Sequence, residues 1–126
     1  METKDLGKTS TGMPANVAAL LSYVLGWITG FVFFLVEKEN KFVRFHAIQS
    51  MIVFGVLSIF YLAISVFMGI LIAINLHFLF PLFALLNGLI GLLGFILWIL
   101  LMVKAYQGEM FKLPIAGDIA EKNAGK

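Results

Sequence analysis

At the mouth of the longest apolar run in this sequence stands a group of polar side chains, Arg44-Phe-His46-Ala-Ile-Gln49-Ser50. It offers a cation, an imidazole, an amide and a hydroxyl, and His46, Gln49 and Ser50 stand at i, i+3 and i+4, the spacing that gathers side chains on one helical face. Such a group suits an anionic lipid headgroup or a partner protein, or ordinary anchoring where a helix meets the membrane boundary. A solvated His46 would also respond to pH. The other chemistry-bearing residue is Asn87, an amide deep in an apolar run, which in lipid should face protein and hydrogen-bond to another helix.

These residue types do not make a catalyst. Chemistry inside a membrane needs paired carboxylates, a Ser/His arrangement or several metal ligands at depth. No residue from Phe45 through Val103 is charged, the chain has no cysteine, and His46 and His77 fall near opposite ends of one expected helix, roughly 45 Å apart along its axis. The sequence therefore predicts no catalytic residues, no metal and no cofactor. Missing ionisable groups also argue against ion-coupled transport. Nine basic against seven acidic residues, scattered over three short segments, form no stripe for nucleic acid.

Composition dictates what must position these groups. With 61% apolar and 13% charged residues and a mean hydropathy of +1.01, the chain carries more apolar surface than a water-soluble domain of its size can bury. The reading is all-α: an integral membrane protein built as a compact bundle of three transmembrane helices. Residues 1–13 form a polar tail; helices are expected over about 14–36, 45–74 and 81–106 within a domain of 14–107; and 108–126 form an interfacial or flexible tail. Pro14 and Pro81 suit first helical turns, and Gly108 suits a helix end. Four spans, or one re-entrant piece around Leu76 to Phe83, are the alternatives.

Small residues mark the expected packing faces. Ala18, Ser22, Gly26 and Gly30 recur every fourth position, with Gly26 and Gly30 forming a GxxxG pattern that lets a second helix approach closely. On the last helix Ala84, Asn87, Gly91 and Gly94 share an arc with Trp98, and on the middle one His46, Ser50, Ser58, Tyr61, Ser65 and Gly69 share one side. In a three-span arrangement Lys38, Lys41, Arg44, Lys104, Lys112, Lys122 and Lys126 lie on one side and Lys4 and Lys8 on the other. The positive-inside rule then predicts a multi-pass protein of the cell membrane with its N-terminus outside and its C-terminus in the cytoplasm.

Three segments carry a resemblance: NVAALLSYVLG from Asn16, EKENKFVRFHAIQS from Glu37 and KAYQGEMFKLP from Lys104. From about Asn16 to Glu121 the chain resembles a family of uncharacterised small prokaryotic multi-span membrane proteins. That family is similar, more distantly, to the small membrane component of the chloroplast inner-envelope protein translocon, a likeness that implies transport of polypeptides and no catalytic residues. From the residues themselves the expected role is a structural or interaction subunit, whose small-residue faces mediate homo-oligomerisation or assembly into a membrane complex, surrounded by membrane lipids. An oligomeric passive pore or a transport-related component is the alternative.

Overall fold

In a computed structural model the structure describes residues 6–125, and all their regular structure is helical. Five α-helices follow in order: α1 (Ala15–Val24), α2 (Trp27–Val36), α3 (Lys41–Ala73), α4 (Phe80–Tyr106) and α5 (Ala116–Ala124). Among the described residues, α3 and α4 alone are long and apolar enough to cross a membrane. At 1.5 Å per residue they measure roughly 50 and 40 Å, against about 15 Å for α1 and for α2.

The first helix corrects the sequence reading. One rod was expected over 14–36, but the chain breaks at Leu25 and Gly26, and Gly26 takes φ +65° and ψ −132°, a conformation that costs a residue with a Cβ. A break leaves carbonyls without intrahelical partners, and where they are shielded from water side chains must satisfy them. Thr29 Oγ1 donates to Ser22 O at 3.1 Å, Trp98 Nε1 to Tyr23 O at 2.7 Å and Ser50 Oγ to Gly26 O at 2.8 Å. Gly26 thus ends a helix rather than lining the middle of one.

The chain then turns back. Ser10 N–H donates to Glu37 Oε2 at 2.8 Å and the Lys38 N–H to Ser10 Oγ at 2.9 Å, so the residues before α1 and after α2 lie together. The pair is a helical hairpin with its tip beside Phe54 of α3, a contact of 3.4 Å from a Cβ built on Gly26.

α3 begins four residues earlier than expected because the Asn40 side chain caps it, accepting from Val43 N–H at 3.0 Å. Its burial has two regimes. Phe42 through Ser50 are all buried, whereas from Met51 to Ala73 only Leu71 is. The first stretch is wrapped by α1, α2, the end of α4 and the C-terminal tail; the second meets the hairpin tip at Phe54 and beyond it runs chiefly beside α4.

Asn75, at φ +64°, and a 3-10 turn at His77–Leu79 close the α3–α4 hairpin, with Pro81 in the first turn of α4. The segment around Leu76 to Phe83 is therefore a tight turn plus a helix start, not a re-entrant piece. The C-terminal tail, expected to be interfacial or flexible, instead packs α5 on α3: Ala120 and Ala124 lie against Phe45 and Ile48.

Candidate functional site

The buried end of α3 is a polar anchor. Its four sequence-chosen residues, Arg44, His46, Gln49 and Ser50, all lie inside the bundle, where each bonds to main chain from another segment. Arg44 Nη1 donates to Glu37 O at 2.7 Å and Phe34 O at 3.1 Å, Nε donates to Ala124 O at 3.0 Å, and the guanidinium sits 4.6 Å from the centre of the Phe34 ring. One cation thereby ties the end of α2 to the end of α5.

His46, Gln49 and Tyr23 form the centre. His46 Nε2 lies 3.0 Å from Glu109 O, which can only accept, so Nε2 carries the proton. Nδ1 is then left to accept from the Tyr23 hydroxyl at 2.7 Å, and that oxygen accepts from Gln49 Nε2 at 3.1 Å. Gln49 also donates to Phe111 O at 2.9 Å and accepts from Leu113 N–H at 2.9 Å, as a neighbouring strand would. Phe42, Phe45 and Tyr23 set their ring edges around the imidazole, with ring centres 4.6 to 5.4 Å from it. His46 is fully buried and not solvated, so the condition for a direct pH response is not met.

Around this centre the N-terminal segment is held by two residues of the connector. Asn40 Nδ2 donates to Leu6 O at 2.8 Å and Lys8 O at 3.1 Å, and Glu37 Oε2 accepts from the N–H groups of Ser10, Asn40 and Glu39. Burial, the largest influence on the Glu37 carboxyl, pushes its pKa up; hydrogen bonds from Ser10, Asn40 and Glu39 together outweigh it and leave the value below the ordinary 4.5. Its other oxygen, Oε1, is buried without a partner.

The small residues are brought together in part. Ala18 and Ser22 are buried on α1, and Gly30 of α2 meets α3 so closely that a Cβ there would lie 2.8 Å from Ala47 O. The Ala18–Ser22–Gly26–Gly30 series is thus not one face: the break at Gly26 puts its halves on two helices that pack within the chain. On α4, Ala84, Asn87 and Gly94 are half-buried while Gly91 is exposed with open space over it. Asn87 makes the interhelical bond expected of it, donating to Ser65 Oγ at 2.9 Å, and its Oδ1 is buried without a partner.

Gly91 and Gly94 floor a lipid-facing groove of about 420 Å³ between α3 and α4, bordered by Phe54, Ser58, Tyr61 and Trp98. Among the described residues no three His, Asp or Glu side chains are grouped to hold a metal ion.

Sequence reasoning missed Tyr23, Glu37 and Asn40, and it placed Trp98 on a packing face without its bond to the break between α1 and α2. Asn40 carried a usable signal, a capping residue directly before a helix. Tyr23 carried none, and nothing local marked the bond of Trp98, since their partners lie 23 and 75 residues away.

Two apolar helices long enough to cross a membrane, bare over most of their length and knotted at one end by a buried polar network, fit a small membrane protein. The chain belongs to the magnetosome magnetite crystal formation protein family, whose model matches residues 8–120. It is 48% identical over 117 residues to a UPF0132 membrane protein of Methanocaldococcus jannaschii, covering 93% of this chain and 94% of that relative. A UPF0132 membrane protein of Archaeoglobus fulgidus is 44% identical over 115 residues, covering 90% and 98%. No solved structure matches the chain.

Proposed function

We propose that this protein is a non-catalytic membrane scaffold that crosses the bilayer twice and associates with further copies of itself through the open groove between α3 and α4. The α1–α2 hairpin enters and leaves from the same side in this threading. Positive-inside bookkeeping supports it: the described Lys and Arg residues (Lys8, Lys38, Lys41, Arg44, Lys104, Lys112 and Lys122) belong to the segments at the anchored end, and the turn at residues 74–79 has none. Both tails then face the cytoplasm, in place of the split arrangement that three spans implied.

The observation that carries the assembly reading is the groove. Its floor is glycine, so a second helix can come close, and the exposed hydroxyls of Ser58 and Tyr61 border it. Hydroxyls in hydrocarbon gain from a protein partner. The small faces of α1 and α2, by contrast, are occupied within the chain.

At Gly91 a Cβ has open space around it, so Leu can be placed there with its side chain projecting into the groove. The expected result is a smaller particle in lipid nanodiscs or mild detergent by light scattering; an unchanged particle size sinks the reading. The implied alternative, a transport-related component or passive pore, is tested by solute release from liposomes holding the purified protein.

A further inference from the structure

From the uneven distribution of helices along the membrane normal, we infer that this protein is a wedge that favours curved membrane, with its wide end in the leaflet on the anchored side. The inference rests on the two-span threading proposed above. Gly26, the tip of the α1–α2 hairpin, meets α3 at Phe54 and accepts from Ser50 Oγ of α3, while Trp98 Nε1 of α4 donates to Tyr23 O and Val24 O just before it. Phe54 stands roughly 20 Å along α3 from Lys41 at 1.5 Å per residue. A bilayer with its headgroups is about 40–45 Å thick, so the tip reaches about the midplane and stops.

One leaflet therefore holds α1, α2, α3 and α4, while the other holds α3 and α4 alone. Each helix with its side chains is about 10 Å across, which makes the cross-section on the anchored side roughly double that on the far side. The hairpin lies in the lipid rather than above it. Trp27, Ile28, Phe31, Val32, Leu35 and Val36 are each about half exposed along the outer side of α2, an apolar face that water would not tolerate.

The wedge is also stiff. Gly30 is locked against Ala47 and Ser50, Arg44 holds the end of α2, and Glu37 ties the hairpin's two ends together. A hairpin free to swing would adapt to a flat bilayer; one bonded at its tip, middle and base cannot. α5 adds bulk at the same wide end, with Ile115 and Ile119 exposed beside it.

The test uses the full chain, which has no native cysteine, as three variants: T11C, K122C and H77C. Each is inserted into preformed small sonicated or large extruded vesicles of one phosphatidylcholine–phosphatidylglycerol mixture, then labelled with an impermeant maleimide before and after detergent lysis. On a convex outer leaflet the wide end belongs outside. External labelling of T11C and K122C, relative to lysed samples, is expected to rise several-fold in ratio of outward to inward molecules from large to small vesicles, while that of H77C falls. If T11C and K122C agree with each other and oppose H77C, yet the ratio does not change with vesicle size, the wedge is overturned and the threading stands. If T11C and K122C report opposite sides, the threading itself is overturned, and the wedge with it.

Discussion

Ser10 and Glu37 are 27 residues apart in sequence, yet the Ser10 N–H donates to the Glu37 carboxylate at 2.8 Å. Everything between them, α1, the break and α2, is therefore a closed excursion that begins and ends at one point. Together with Asn40, which holds the carbonyls of Leu6 and Lys8, this contact decides that the N-terminal segment lies at the same end of the bundle as the C-terminal tail.

Glu37 should make the fold acid-sensitive. Its pKa is lowered in the folded chain relative to the ordinary 4.5, so the stability it contributes is fully present above about pH 4.5 and is lost as pH falls through the lower folded value. Glu37→Gln removes the charge that three N–H groups converge on and should cost about 1–3 kcal/mol at neutral pH. The check is thermal unfolding in detergent micelles across pH: the wild type should lose stability in acid relative to neutral pH, and the Gln variant should lose distinctly less. Identical acid profiles would show that another carboxylate controls the acid response.

The long apolar helices were legible because a run without charge has only one solvent available to it, and α3 and α4 fall within a few residues of their expected positions. Asn87 was legible for the same reason. The first helix was not, because Gly26 supports two readings that local sequence does not separate: a small residue where helices touch, and a residue tolerating positive φ where a helix ends. What selects the second is tertiary, namely the partners that Ser50 and Trp98 bring to the orphaned carbonyls. The anchor was read as a surface group for a related reason: a run of polar residues at a membrane boundary looks the same whether it faces headgroups or the main chain of a folded-back tail.

The two kinds of glycine can be told apart by substitution. At Gly30 a Cβ would lie 2.8 Å from the Ala47 carbonyl, and a backbone atom cannot rotate away. Gly30→Ala should destabilise by about 1–3 kcal/mol, the usual cost of overpacking. At Gly91 nothing lies within 4 Å, and Gly91→Ala should be neutral or stabilising by up to about 1 kcal/mol through the unfolded chain. Measured by denaturant titration in the same detergent, the two variants should separate clearly, and equal stabilities would contradict the close α2–α3 approach.

Gln49 is the residue that fastens the tail. Gln49→Leu keeps the volume but strands the Leu113 N–H and the Phe111 carbonyl, and it removes a donor from Tyr23. Stranding these part-buried groups should cost about 1–3 kcal/mol in all, more than the surface ion pairs of Lys112 with Glu121 and Asp118 can offset. The expected outcome is a tail that detaches before the bundle melts. Limited trypsin digestion should then cleave at Lys112 and Lys122 much faster in the variant than in the wild type, with α3 and α4 intact by circular dichroism. Unchanged cleavage would show that Arg44 and the α5 contacts suffice.

Asn87 separates a hydrogen bond's gross strength from its net worth. Its Nδ2 donates to Ser65 Oγ, but Oδ1 is buried without a partner, so the amide gains one bond and carries one unmet acceptor. Ser65 already donates to the Tyr61 carbonyl at 2.8 Å and keeps that bond when Asn87 is replaced. Asn87→Leu removes both the bond, worth about 0.6 kcal/mol on average between membrane helices, and the unmet oxygen. The net change should therefore stay below about 1 kcal/mol. Asn87→Asp has nearly the same shape but places an ionisable group among hydrocarbon with only one hydroxyl nearby, which should cost about 2.5 kcal/mol or more. Steric-trap or denaturant unfolding in bilayer-like micelles distinguishes the two. If Leu were as damaging as Asp, the Asn87–Ser65 bond would have to be the main lock between α3 and α4 rather than a bond of small net worth.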